Sequence, residues 1–110
     1  MTSVKFLADR GMIYGFSLSG HCSVDGDDEI GRIVCAAVSS AAYMTANTIT
    51  EIIGDEAEVY VDDAKMHLSV KEPSDATSKV LKGFKLHLSE LANQYSNNLK
   101  INGGAENVTD

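Results

Sequence analysis

Two side chains in this 110-residue sequence bring a thiol and an imidazole to a workable separation, Cys35 and His21. A cysteine attacks a carbonyl as its thiolate, whereas an ordinary thiol, with a pKa of about 8.5, is mostly protonated at neutral pH. A helix N-terminus or a neighbouring cation favours the thiolate. Cys35 is expected in the first turns of a helix, with Arg32 one turn before it. Unpaired amides at a helix start would also hold the oxyanion of a tetrahedral intermediate. His21 follows a strand end, where a rigid support presents functional side chains. Imidazole titrates near neutrality, so the pair fits a nucleophile and its proton carrier. Plainer readings stand beside this one. Cys35 also fits a small buried apolar residue in an alanine-rich helix, and His21 a surface residue at a strand end.

The other candidates carry less. Cys22 adjoins His21 but sits in a loop with no helix dipole behind it. His67 falls on the outward face of an expected strand, and His87 lies off the apolar stripe of an expected helix. A zinc site from His21, Cys22 and Cys35 lacks a fourth ligand and close cysteine spacing. The run Asp25-Gly26-Asp27-Asp28-Glu29 lacks the carboxylate spacing and distal Glu of a calcium loop. No metal and no cofactor are expected.

The elements that would position the pair read as follows. Val4, Phe6 and Ala8 alternate as a half-buried strand, and Asp9-Arg10-Gly11 reads as a hairpin turn. Met12, Tyr14, Phe16 and Leu18 alternate next, with Ile13, Gly15, Ser17 and Ser19 on the other face, up to Gly20-His21. The acidic stretch from Cys22 to Gly31 reads as a connection that shields a site, or as a solvated loop. A helix from about Arg32 to Ile53, with Val34, Val38, Ala41, Ile49 and Ile52 at helical spacing, reads as buried around most of its circumference and ends at Gly54. Ala57 to Val61 and Lys65 to Val70 form two more strands, the second with Met66, Leu68 and Val70 inward. Ser74 caps a second helix whose stripe is Val80, Phe84, Leu88, Leu91, Tyr95 and Leu99, and Leu99 to Ile101 adds a short strand. The order β-β-α-β-β-α(-β) implies an α+β two-layer sandwich, a mostly antiparallel sheet with two helices on one face. Residues 1–102 form one domain and residues 103–110 a flexible tail. Tyr14, Phe16 and the first hairpin offer a homodimer surface.

The formal net charge of −7 disfavours nucleic acid and favours a basic partner. The apolar runs fall short of a membrane span, and no signal peptide is evident. Two cysteines make no disulfide framework, so a cytoplasmic protein with free thiols is the simplest reading.

Gly20-His21, an acidic loop, then Ile33-Val34-Cys35-Ala36-Ala37-Val38-Ser39 resembles the ribosomal-processing cysteine protease family Prp. The length, strand order and C-terminal helix fit the same family over nearly the whole chain. The resemblance implies a thiol protease whose dyad is His21 and Cys35. It implies a small homodimer that removes an N-terminal extension from a large-subunit ribosomal protein, supporting ribosome biogenesis. Ser39 matches a serine kept one turn after the nucleophile. The sequence departs from the family pattern at Arg32, where an aspartate is usual, and at Cys22, where alanine is usual. Asp28 or Glu29 would take over the aspartate's duty of capping the helix or orienting the histidine. Two further readings stay open: an adaptor with an impaired dyad that binds a ribosomal or assembly protein, and a redox-responsive protein using Cys22 and Cys35.

Overall fold

The computed structural model describes residues 1–20, 29–63 and 65–103. Strands β1 (Thr2–Asp9) and β2 (Met12–Gly20) form a hairpin closed by Arg10 and Gly11. Both turn residues have positive φ, 54° and 81°, the twist a two-residue connection needs. Helix α1 (Glu29–Asn47) continues as a π-helical turn over Thr48–Ile53. Strands β3 (Ala57–Val61) and β4 (Lys65–Val70) follow, then α2 (Asp75–Gln94) and β5 (Leu99–Gly103). The sheet order is β3-β4-β2-β1-β5, antiparallel except where β5 joins β1 in parallel. Both helices lie on one face, α2 across β2 and β5 with α1 beside it. The expected two-layer α+β architecture is therefore present, with the short final strand as a full sheet member.

The register of β2 differs from simple alternation. Leu7 pairs with Gly15 and Ala8 with Ile13, so Tyr14 is an extra residue bulged out of the ladder. Beyond the bulge the faces exchange. Ile13 joins Phe16 and Leu18 in the core, while Met12 is exposed and Tyr14 half-buried. Phe16 is wholly buried against Phe84 of α2, with ring centroids 4.8 Å apart, and cannot belong to the proposed dimer surface.

Helix α1 is buried along one stripe only: Val34, Cys35, Val38, Ala42, Thr45 and Ala46, continued by Ile49. Ile30, Ile33, Tyr43 and Met44 are exposed, and Ile52 is 80 % exposed, so it is no core residue. Glu29–Ile53 does reach the length and composition of a membrane span, contrary to the expectation that every apolar run falls short. Its buried stripe instead packs into the core formed with the sheet and α2. The last turn loosens where threonine hydroxyls bond back to the helix carbonyls. Thr48 donates to the Met44 carbonyl and Thr50 to that of Ala46. Gly54, at φ 88°, ends it by donating its N–H to the Ile49 carbonyl.

Ser74 caps α2 as expected, its hydroxyl accepting from the Thr77 N–H at 3.2 Å. The centre of the α2 stripe is Leu81, Phe84 and Leu88, with Val80, Leu91 and Tyr95 at its margins and Leu99 in β5. Half-buried Asp55 ties the two helices together. Its carboxylate accepts from the Ser74 N–H at 2.9 Å and the Ser74 hydroxyl at 2.8 Å. Its pKa lies below the ordinary carboxylate value, first through the buried Thr77 hydroxyl, then through the two Ser74 donors. Thr77 itself sits short of good hydrogen-bond geometry. A carboxylate with a depressed native pKa stabilises the fold above its unfolded value of about 3.9, and that contribution disappears as pH falls through the lower native value. Asp55→Asn is therefore expected to lower the urea midpoint at pH 7 and to flatten its fall between about pH 4 and pH 2. Parallel titrations of the two proteins across that range check it.

Candidate active site

The end of the sheet where β2 stops holds a cleft, and Cys35 lines it. The cleft draws on α1, the start of β1, the end of β2 and the β3–β4 hairpin. Cys35, Ser39 and Tyr43 come from one face of α1, spaced four residues apart so that each stands a turn from the next. Leu18, Ser19 and Gly20 come from the end of β2. Val61, Asp62, Asp63 and Lys65 come from the β3–β4 hairpin. The register explains the convergence: Leu18 pairs with Met66, Ser19 with Lys65 and Thr2 with Gly20, so these residues share one end of the sheet.

Gly20 is fixed by close approach. Its φ is 154°, and a Cβ there would meet the Met1 carbonyl oxygen at 2.7 Å and Thr2 Cα at 2.8 Å. No other residue lets β2 leave the sheet this way against the start of β1. Asp62 shapes the opposite wall, accepting from the Lys65 N–H at 2.9 Å and the Tyr60 hydroxyl at 2.8 Å. The Asp62 carboxylate in turn holds the Tyr60 phenol above its usual pKa.

The sequence-derived candidates distribute unevenly. Cys35, 5 % exposed, and half-buried Ser39 stand together in the cleft. Arg32 and Glu29 are exposed and do not line it. His21, Cys22 and Asp28, with the acidic connection, lie outside the described residues, as does the expected tail beyond Gly103. His67 and His87 are elsewhere. His67 Nδ1 shares a 2.7 Å hydrogen bond with Ser17 on the open sheet face, and His87 is exposed on α2.

Two expectations need correction. Helix α1 includes Glu29, so it begins before the expected Arg32, and Cys35 stands six residues, about 9 Å along the axis, beyond Glu29, in the second turn. A glutamate at the first helical position complements the dipole and lets the helix begin earlier than the acidic run suggests. Nor is Cys35 a free thiol: it is disulfide-bonded, and there is no free cysteine among the described residues. Among the cleft residues, Tyr43 and the hairpin aspartates were legible in principle. Tyr43 continues the Cys35–Ser39 spacing, and Asp62-Asp63 sits where two strands must turn.

The family model for cysteine protease Prp matches residues 1–100. The chain is similar to the essential ribosomal processing protease Prp from S. aureus in complex with a covalently linked product peptide. That match has 22 % identity and a TM-score of 0.79, covering 94 % of this chain and 99 % of the other. The same protease with a substrate peptide matches at 21 % identity and a TM-score of 0.81, with the same coverage. SMU.848 from Streptococcus mutans matches at 18 % identity and a TM-score of 0.82, covering 94 % of each chain. No curated protein matches the sequence.

Proposed function

Because the chain belongs to the cysteine protease Prp family, we propose that it is a cytoplasmic cysteine endopeptidase that removes an N-terminal extension from a large-subunit ribosomal protein. The observation that carries this reading is the cleft itself: Cys35 lines it, and so does Gly20, the residue directly before His21. A relative of the same fold holds a product peptide covalently, which fits a protein that forms a bond to its substrate.

Reduced Cys35 attacks the scissile carbonyl as a thiolate. His21 holds the thiol proton and delivers it to the departing amine, then takes a proton from the water that resolves the acyl-enzyme. The Ser39 hydroxyl, one turn from Cys35 and lining the same cleft, donates to the oxyanion. Ser39→Ala is expected to lower kcat by about 100-fold with KM little changed, because the hydrogen bond strengthens only as charge develops. Steady-state kinetics on a precursor peptide check it.

The net charge of −7 and the aspartates on the cleft wall suit a basic ribosomal-protein substrate. Residues 1–102 act as the catalytic domain. A homodimer would cover the apolar residues left open on α1 and β3, among them Ile33, Met44, Val59 and Val61, rather than the first hairpin. The direct experiment incubates the reduced chain with the ribosomal-protein precursor and reads the new N-terminus by mass spectrometry. A single cut that depends on Cys35 is expected. Tight binding without cleavage would replace the protease with the adaptor.

A further inference from the structure

We infer that Tyr60 is a positioning residue for substrate binding: from outside the cleft it holds the Asp62 carboxylate, and through it the wall that stands across from Cys35. Val61, Asp62, Asp63 and Lys65 of the β3–β4 hairpin supply that wall. β3 is the edge strand, paired with β4 and with no other strand among the described residues. Val59, Tyr60 and Val61 at its end are all exposed, so core packing does not fix where the wall stands. Hydrogen bonds fix it instead. Asp62 donates its N–H to the Lys65 carbonyl at 2.9 Å, and one of its carboxylate oxygens accepts from the Lys65 N–H at 2.9 Å. The other carboxylate oxygen accepts from the Tyr60 hydroxyl at 2.8 Å. One donor leaves a carboxylate free to turn about its own bond. A second, two residues back on the same strand face, removes that freedom.

Tyr60 does this without lining the cleft itself. Its cross-strand neighbour on the open sheet face is His67, and the Ser17 hydroxyl engages that ring at 2.7 Å, so the phenol is left to Asp62. The hydrogen bond to Asp62, and then the Asp62 charge, raise the phenol's pKa above its ordinary value, which keeps it a donor throughout the neutral range. The wall meets the substrate in the bound complex and in the transition state alike. Its displacement is therefore felt in binding and not in the chemical step. The effect on cleavage rests on the protease reading above; the contact between Tyr60 and Asp62 does not.

The test compares the reduced full chain with Tyr60→Phe, Asp62→Ala and the double variant in cleavage of the precursor peptide. Tyr60→Phe keeps the exposed ring and loses only the hydroxyl, so the fold is retained. Its KM is expected to rise about fivefold, the equivalent of one hydrogen bond, with kcat unchanged. In the Asp62→Ala background the same substitution should leave KM where it is, because the group it acts through is gone. A second readout needs no activity. The Tyr60 phenol, followed by ultraviolet titration as the difference from the matching Tyr60→Phe protein, should ionise at lower pH in Asp62→Asn than in the parent. An unchanged KM in Tyr60→Phe, a loss in kcat alone, a fivefold effect that persists in the Asp62→Ala background, or a phenol that titrates alike in parent and Asp62→Asn would each overturn the proposal. If the reduced parent cuts no precursor, the dissociation constant of the labelled precursor peptide takes the place of KM. A fivefold weakening in Tyr60→Phe then keeps the positioning role while the protease reading fails, and an unchanged constant ends both.

Discussion

Replacing Cys35 with alanine is expected to lower kcat/KM on the precursor by about 10⁴-fold or more, because a member of a nucleophile–base pair is worth nearly the whole covalent pathway. The fold should survive the change. Cys35 occupies the buried stripe of α1 between Val34 and Val38, beside Ala36 and Ala37, and alanine is the best helix former. Its own contribution to packing is that of one small apolar side chain. Circular dichroism should therefore be unchanged, while turnover disappears. The comparison must be made between reduced proteins, since the parent chain with its disulfide closed is itself expected to be silent. Serine at position 35 should be nearly as inactive. Its hydroxyl is far less acidic than a thiol, and a site built for a thiolate offers it no stronger base. Kinetics under a thiol reductant separate these effects.

The second large effect is on stability. Gly15→Ala is expected to destabilise the protein by about 3 kcal/mol. A Cβ on Gly15 would lie inside the van der Waals shell of the Leu68 carbonyl oxygen and 3.1 Å from both the Leu68 carbonyl carbon and Ser69 Cα. These are backbone atoms of a paired strand, so no rotamer change relieves the clash. Gly15 pairs with Ser69 across β2 and β4 and stands next to the Tyr14 bulge, where the ladder is already perturbed. The two strands would have to part at the centre of the sheet. Gly83→Ala supplies the contrast. Gly83 is exposed in the middle of α2, and nothing lies within 4 Å of an added Cβ. That substitution should stabilise by about 0.5–1 kcal/mol, the ordinary advantage of alanine over glycine in a helix. Urea unfolding should show the two midpoints moving in opposite directions with little change in slope.

These sites also show where reading the sequence succeeds and where it stops. The Arg10-Gly11 turn, the inward face of β4, the Ser74 cap and the Gly54 stop follow from local rules, and the structure has each of them. Ser39 beside Cys35 follows from helical spacing alone. The bulge at Tyr14 does not follow. Alternation of period two cannot signal an extra residue, so Ile13 and Tyr14 exchange faces without any mark in composition. The start of α1 was hidden by acidic residues that suit a loop and a first helical turn equally well. Ile52 fits a core pattern but falls in the π-helical turn, where the period changes and the side chain swings into solvent. The oxidation state of Cys35 is set by chemistry outside the chain, and residue types alone carry no record of it.

The most direct measurement traps the bond on which the mechanism depends. The reduced protein is mixed with precursor peptide, the reaction is quenched in acid within one turnover, and the protein is digested and mapped by mass spectrometry. The acyl group of the substrate's N-terminal fragment should be found as a thioester on Cys35 and absent from the Cys35→Ser protein. An acyl group on Cys22, or cleavage that proceeds with no adduct on either sulfur, would contradict it.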